Sequence, residues 1–283
     1  MSNLGFHCHN LDLFDEMIIG NGLRRGEFYN LPPGELPRLK RLLRLHNLAW
    51  SIHTPLIQLE WYPRPHTWSF LCDLDRDKRE LTMKMVALTM EQADEFGAEY
   101  AVVHFPSPAS EESDEDVSRV EAVAWKSSDR LAELSLKRGI PIHLEGVGAS
   151  ALINAGFLKR ALKEYSPPLK YCFDTAHTYL AAIQNGFDLY AFEAELVPYL
   201  GSVHLWNIRN KDDYQNYRHI PVHPSQSAEE GWVDIARVLQ VMGAVRNSLP
   251  IIFESERFYP EALGNYNYVE GVQWVKKLLE TLS

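Results

Sequence analysis

The sequence predicts one α/β domain over residues 1–283, a closed (β/α)8 TIM barrel, on three observations. Eight short apolar runs alternate with eight helical stretches. The runs are apolar on both faces, as parallel strands covered by helices are. Six of them end on an imidazole or a carboxylate where the chain leaves the strand: "SIHTP" on His53, "AVVHFP" on His104, "IPIHLEG" on Glu145, "YCFDTAH" on Asp174 and His177, "SVHLWN" on His204 and "PIIFES" on Glu254. Strand ends converge on one rim of a barrel, so groups far apart in sequence meet at one point.

Taken in order, the first strand spans 4–9 and closes on His7 and His9, with a helix following over 11–22. The turn between them, "HCHNLD", lacks glycine. An open doubly wound sheet, the competing architecture, would carry a glycine-rich phosphate loop there. "GEFYNL" at 26–31 is the second strand, although the same residues also read as loop. "GELPRLKRLLRLHN" at 34–47 spaces its leucines as one buried stripe with arginines outside. Strands at 49–54, 99–105 and 140–146 are followed by helices at 73–97, 115–138 and 150–165. Strands at 170–175, 201–206 and 249–254 are followed by helices at 178–198, 232–245 and 267–281. The acidic stretch "SEESDEDVS" (110–118) is expected to be a solvated loop that caps the helix behind it. Two connections are long, 55–72 and 207–231, and both leave strands that end on a proposed ligand. Long loops on that rim become substrate walls or lids.

Composition narrows the function classes. An apolar fraction of 46% is ordinary for a globular protein. No stretch approaches the roughly 20 apolar residues of a membrane span. A net charge of −10 argues against strong non-specific attraction to nucleic acid or anionic lipid. The start, "MSNLGFHCHN", has no secretory pattern, and Cys8, Cys72 and Cys172 are odd in number and widely spaced. The expectation is a cytoplasmic protein with reduced thiols. A GxSxG elbow, a P-loop and a helical HExxH are all missing from the sequence.

Glu145, Asp174, His204 and Glu254 end four successive strands. A lone histidine there is usually a satisfied core residue, but a buried carboxylate without a partner is costly, and four such ends in a row make a site. Mixed carboxylate and imidazole donors suit a divalent metal, Zn²⁺ first and Mn²⁺, Mg²⁺ or Co²⁺ after it, and leave no role for haem or iron–sulfur. His53, His104 and His177 add imidazoles beyond the needs of one octahedral ion, so the expected load runs from one to three ions with Glu145 as a bridge. Two ions about 3.5–4 Å apart can stabilise both the attacking and the leaving oxygen of a displacement. His7, Trp61, Trp206, Arg209 and His223 are the candidate substrate contacts, and His46, His66 and His143 are read as structural or surface residues.

At these residues the chain resembles the xylose-isomerase-like superfamily of TIM barrels over nearly its whole length. That superfamily holds sugar isomerases and epimerases and the endonuclease IV (AP endonuclease family 2) enzymes. "YCFDTAH" is similar to the endonuclease IV signature in which an aspartate and a histidine three residues later bind zinc. "VHLWN" with Arg218–His219, and "IIFES", are similar to that family's later signatures. The resemblance implies that His53 and His104 are two further zinc ligands, that Glu145 bridges two ions, that His204 and Glu254 complete the second, and that His177 with His219 holds a third. Four positions depart from it: Tyr217 stands where an aspartate is expected, Trp206 where a small polar residue is, and Leu56 and Gln58 replace a tyrosine and an asparagine.

Two activities follow from the resemblance. The extra histidines point first to metal-assisted phosphoester hydrolysis. The alternative is a sugar or sugar-phosphate isomerase or epimerase, which uses only the glutamate–aspartate–histidine–glutamate set, with Glu145 and Glu254 as acid and base on either side of an enediolate. A non-catalytic metal- and ligand-binding barrel is the third reading, with nothing specific for it. The expected partner is a small phosphoester or sugar. Duplex DNA fits less well, because acidic residues outnumber basic ones on the longer rim loop.

Overall fold

The computed structural model describes residues 3–107, 114–148 and 150–282. Eight parallel strands pair in chain order and close on themselves. They are β1 (Leu4–Cys8), β2 (Arg25–Phe28), β3 (Ala49–His53), β4 (Ala101–His104), β5 (Ile142–Glu145), β6 (Leu169–Asp174), β7 (Leu200–Leu205) and β8 (Ile251–Phe253). The helices are α1 (Leu36–His46), α2 (Arg76–Phe96), α3 (Asp114–Arg138), α4 (Ala155–Tyr165), α5 (Thr175–Asn185), α6 (Leu189–Leu196), α7 (Lys211–Tyr217), α8 (Ile235–Val241) and α9 (Tyr268–Thr281). This is the predicted (β/α)8 barrel. Register matters for the site: His104 lies opposite Glu145, and Asp174 opposite His204.

Several elements differ from expectation for visible reasons. Residues 11–22 form a short 3-10 turn, Leu11–Leu13, and a π turn, Asp15–Ile19, instead of one regular helix. The stretch 178–198 is two helices, because Gly186 ends α5 at φ +71° and the Asp188 carboxylate accepts from the Ala191 N–H to start α6. The loop after β7 contains α7, opened by Asn210, whose side chain accepts from the Asp213 N–H. Helix α8 stops at Val241, and a 3-10 turn, Gly243–Asn247, completes that connection. Of the expected loop at 110–118, residues 110–113 lie outside the described residues, and 114–118 already belong to α3. Close packing fixes α9, where a Cβ on Gly271 would sit 1.8 Å from the Val222 carbonyl oxygen.

Strand residues alternate between two environments. Phe6, Phe28, Ile52, Val103, Leu144, Phe173 and Leu205 pack outward into the main hydrophobic core beneath the helices. The alternate positions face the barrel axis, and below the rim many of them are polar. Ser51 Oγ donates to Glu27 Oε2 at 2.8 Å, and His143 Nδ1 lies 2.9 Å from Ser202 Oγ with its ring stacked 4.0 Å from Tyr100. Barrels of this kind usually fill those layers with branched aliphatic side chains. Here the apolar filling around Val102 and Cys172 is small.

Candidate metal centre

Four strand ends bring their side chains to one point. One donor atom from each of Glu145, Asp174, His204 and Glu254 lies within 4.8 Å of the others. His204 Nδ1 is 2.5 Å from Glu254 Oε2 and 3.4 Å from Glu145 Oε2. A second set, His53, His104 and Glu145, meets the same limit and shares Glu145 with the first. His53 Nε2 and His104 Nε2 lie 3.2 and 3.7 Å from Glu145 Oε2. His7, His53 and Glu254 form a further close group. Asp174 is held firmly: Oδ1 accepts from the His177 backbone N–H and Oδ2 from the Trp206 indole N–H, both at 2.6 Å.

The donors fit a divalent cation. Glu145 Oε1, Glu254 Oε2 and both ring nitrogens of His204 are buried without a hydrogen bond, which is expensive unless something else satisfies them. Burial pushes the Glu145 carboxyl up, yet His204 and His104 outweigh it and hold the group well below the ordinary carboxylate range. Glu254 behaves alike, with His7 and His204 opposing its burial. Asp174 goes the other way, raised to about 7 by burial and by the neighbouring Glu145 and Glu254 charges. Crowded carboxylates that cannot all ionise comfortably are what a bound cation relieves. Burial lowers His104 to about 3 and His219 to about 4, so both rings are neutral, the form that ligates.

The family described as xylose isomerase-like TIM barrel matches residues 10–278. The chain belongs to the xylose isomerase-like TIM-barrel family. A D-tagatose 3-epimerase-like protein shares its fold at TM-score 0.72 and 16% identity, over 99% of this chain and 98% of that one. The IOLI protein, whose structure holds a zinc atom, gives TM-score 0.67 and 17% identity over 99% and 97%. Endonuclease IV from Thermus thermophilus gives TM-score 0.59 and 18% identity over 99% of each. At such identities the likeness is one of fold. No curated protein matches the chain in sequence.

Within this xylose isomerase-like barrel, the other predicted site residues are scattered. His177 and His219 lie near each other, ring centroids 6.0 Å apart, but neither joins a donor set among the described residues. Trp206 is fully buried and braces Asp174 rather than walling an open pocket, which corrects its reading as a substrate contact. Trp61 packs under Lys84 of α2, 4.4 Å from the ammonium, in a loop whose Leu59 and Tyr62 cluster with Met85. Arg209 is taken by Asp213 through two hydrogen bonds of 2.7 and 2.9 Å. His223 is occupied by Ser225 and Glu270 and stacks on Tyr266. None of these three belongs to a donor set among the described residues.

His7 stays at the site, with Nδ1 3.3 Å from Glu254 Oε1 and its ring stacked 3.9 Å from Tyr29. Beside it lies a cavity of about 200 Å³ lined by His9, Asn10, Tyr29, Glu254, Glu256 and Arg257, among others. Sequence reasoning missed Tyr29 and Glu27. Burial raises Glu27, but His204 and then His7 and His53 bring it down to about 2. Both residues sit in "GEFYN", the stretch whose strand character was weakest, and only the alternation Glu27–Phe28–Tyr29 hinted that one face was polar. No helix among the described residues is long and apolar enough to cross a membrane.

Proposed function

We propose that the protein is a divalent-metal-dependent isomerase or epimerase of a small keto-sugar or polyol. The observation that carries this reading is the cavity over Glu254, which is small, rich in uncharged hydrogen-bonding groups and poor in free cations. His9, Asn10 and Tyr29 can bind hydroxyls. Its one arginine, Arg257, is already paired with Glu16 at 3.0 Å, which favours a neutral polyol over a phosphorylated one. A duplex needs several free Lys and Arg at the rim, and Arg209 is committed as well. The epimerase-like protein among the fold relatives adds support.

Glu145, Asp174, His204 and Glu254 would hold the ion. Bound there, a divalent cation supplies Lewis-acid polarisation to adjacent substrate oxygens. Glu254 lines the cavity and takes the proton from the carbon beside the substrate carbonyl, and the carboxyl so formed returns that proton to the neighbouring carbon, while Glu145 stays ionised as its partner in the donor set. Both carboxylates are ionised before substrate enters, as a base must be. His7 fixes the Glu254 carboxylate from one side.

Phosphoester hydrolysis is the second reading, favoured by one specific feature, the His53–His104–Glu145 set that a one-ion isomerase does not need. The test is to assay protein purified without chelator for metal content, then for turnover of a ketose and aldose panel, small phosphodiesters and an abasic-site duplex at about 150 mM salt. The expected result is exchange or inversion at a carbon next to a carbonyl, lost in Glu254→Gln. Abasic-specific incision without turnover of any sugar would overturn it.

A further inference from the structure

We infer that Glu27, a carboxylate deep inside the barrel, is a positioning residue that selects which nitrogen of His204 faces the metal. The inference rests on the metal-site reading above. His204 presents two ring nitrogens to two different groups of carboxylates. Nδ1 faces Glu254 and Glu145, the upper donors. Nε2 faces downward to Glu27 Oε1 at 2.8 Å. Both Glu27 and His204 are fully buried, so water cannot substitute for either partner.

The orientation of Glu27 is itself fixed. Its other oxygen, Oε2, accepts from Ser51 Oγ at 2.8 Å, and Ser51 is also fully buried. That leaves Oε1 as an oxygen with no hydrogen bond of its own, and the His204 Nε2 is the cation-forming atom that faces it. A buried carboxylate there is costly unless it acts on that ring. A histidine that binds metal through one nitrogen commonly gives the N–H of the other to a carboxylate, which fixes the tautomer and raises the basicity of the ligating nitrogen. The proton therefore belongs on Nε2, and Nδ1 is the nitrogen left free for the ion. Ser51, Glu27 and His204 thus form a column on β3, β2 and β7 that supports the site from beneath. Neither Glu27 nor Ser51 belongs to any of the donor sets.

The experiment measures Zn²⁺ affinity by competition with a chromophoric chelator, and the visible spectrum after Co²⁺ loading, in wild type, Glu27→Gln, Glu27→Asp and Ser51→Ala. A positioning role predicts about 10–100-fold weaker Zn²⁺ binding in Glu27→Gln together with altered Co²⁺ bands. Glu27→Asp keeps the charge and recovers part of the affinity. Ser51→Ala shifts the same two readouts in the same direction by less. Should Glu27→Gln not fold, Ser51→Ala decides. Wild-type affinity and spectrum in Glu27→Gln, or in Ser51→Ala if that is the variant available, would overturn the inference while leaving the metal site standing. Wild-type protein that binds neither Zn²⁺ nor Co²⁺ would overturn both.

Discussion

Glu193 offers a sharp test of the energetics of this structure. Helix α6 buries Leu189, Phe192, Glu193 and Leu196, the i, i+3, i+4, i+7 positions of an apolar stripe, so a carboxyl occupies a place that the helical period reserves for a hydrophobe. Neither of its oxygens has a hydrogen-bond partner among the described residues. Burial raises the group from 4.5 to about 9. The folded chain therefore keeps a proton that the unfolded chain gives up. Stability from this group is complete below pH 4.5 and is lost progressively as pH climbs toward 9. At about 1.4 kcal/mol per pH unit, the loss reaches roughly 3 kcal/mol at pH 7. Glu193→Gln cannot titrate, so its stability should pull ahead of wild type by about 4 kcal/mol between pH 5 and pH 8. Thermal melts of both proteins across that range measure the gap, each kcal/mol moving Tm by about 2–4 °C. Other buried groups titrate in both proteins and cancel. Two curves that run parallel from pH 5 to pH 8 would refute the reasoning, because they would mean that Glu193 is ionised in the folded state.

Three further outcomes are expected. Glu145→Gln should lose more metal than His53→Ala, since Glu145 belongs to both principal donor sets, and elemental analysis of the two purified variants compares them. Trp206→Phe keeps the packing but removes the donor to Asp174 Oδ2, so metal affinity should fall about 10-fold at nearly unchanged Tm, as read by chelator competition and a melt. Gly271→Ala drives a methyl group into the Val222 carbonyl and should cost about 3 kcal/mol, seen as a Tm lower by roughly 6–12 °C.

The barrel and its donor ring were legible because both are written locally. A short apolar run ending on His or Glu states its structure and its chemistry in five or six residues, and His53, His104, Glu145, Asp174, His204 and Glu254 could be read that way. The break at Gly186–Asp188 went unread, because the apolar period on both sides hid the glycine stop and the aspartate cap. Trp61, Arg209 and His223 were not legible. Where the loop after β3 packs depends on Leu59, Tyr62 and Met85 meeting across the fold. What an arginine or histidine does there depends on whether Asp213 or Glu270 reaches it first. Glu27 was hidden for a different reason: a mid-strand glutamate has no local signature, and its meaning appears only when His204, far along the chain, arrives opposite it.

In this chain every member of the donor sets stands on a strand or at its end, with the props Glu27, Ser51 and Asp174's Trp206 close beneath or behind. The long loops after β3 and β7 supply no donor. Inheritance of the ion and inheritance of the substrate are thereby uncoupled. The cavity over Glu254 is walled chiefly from beyond the ends of β1, β2 and β8, so changes at His9, Asn10, Tyr29 or Phe258 would rewrite what it admits and leave the ring of donors as it was. Selection can edit the one like an address label without reopening the parcel.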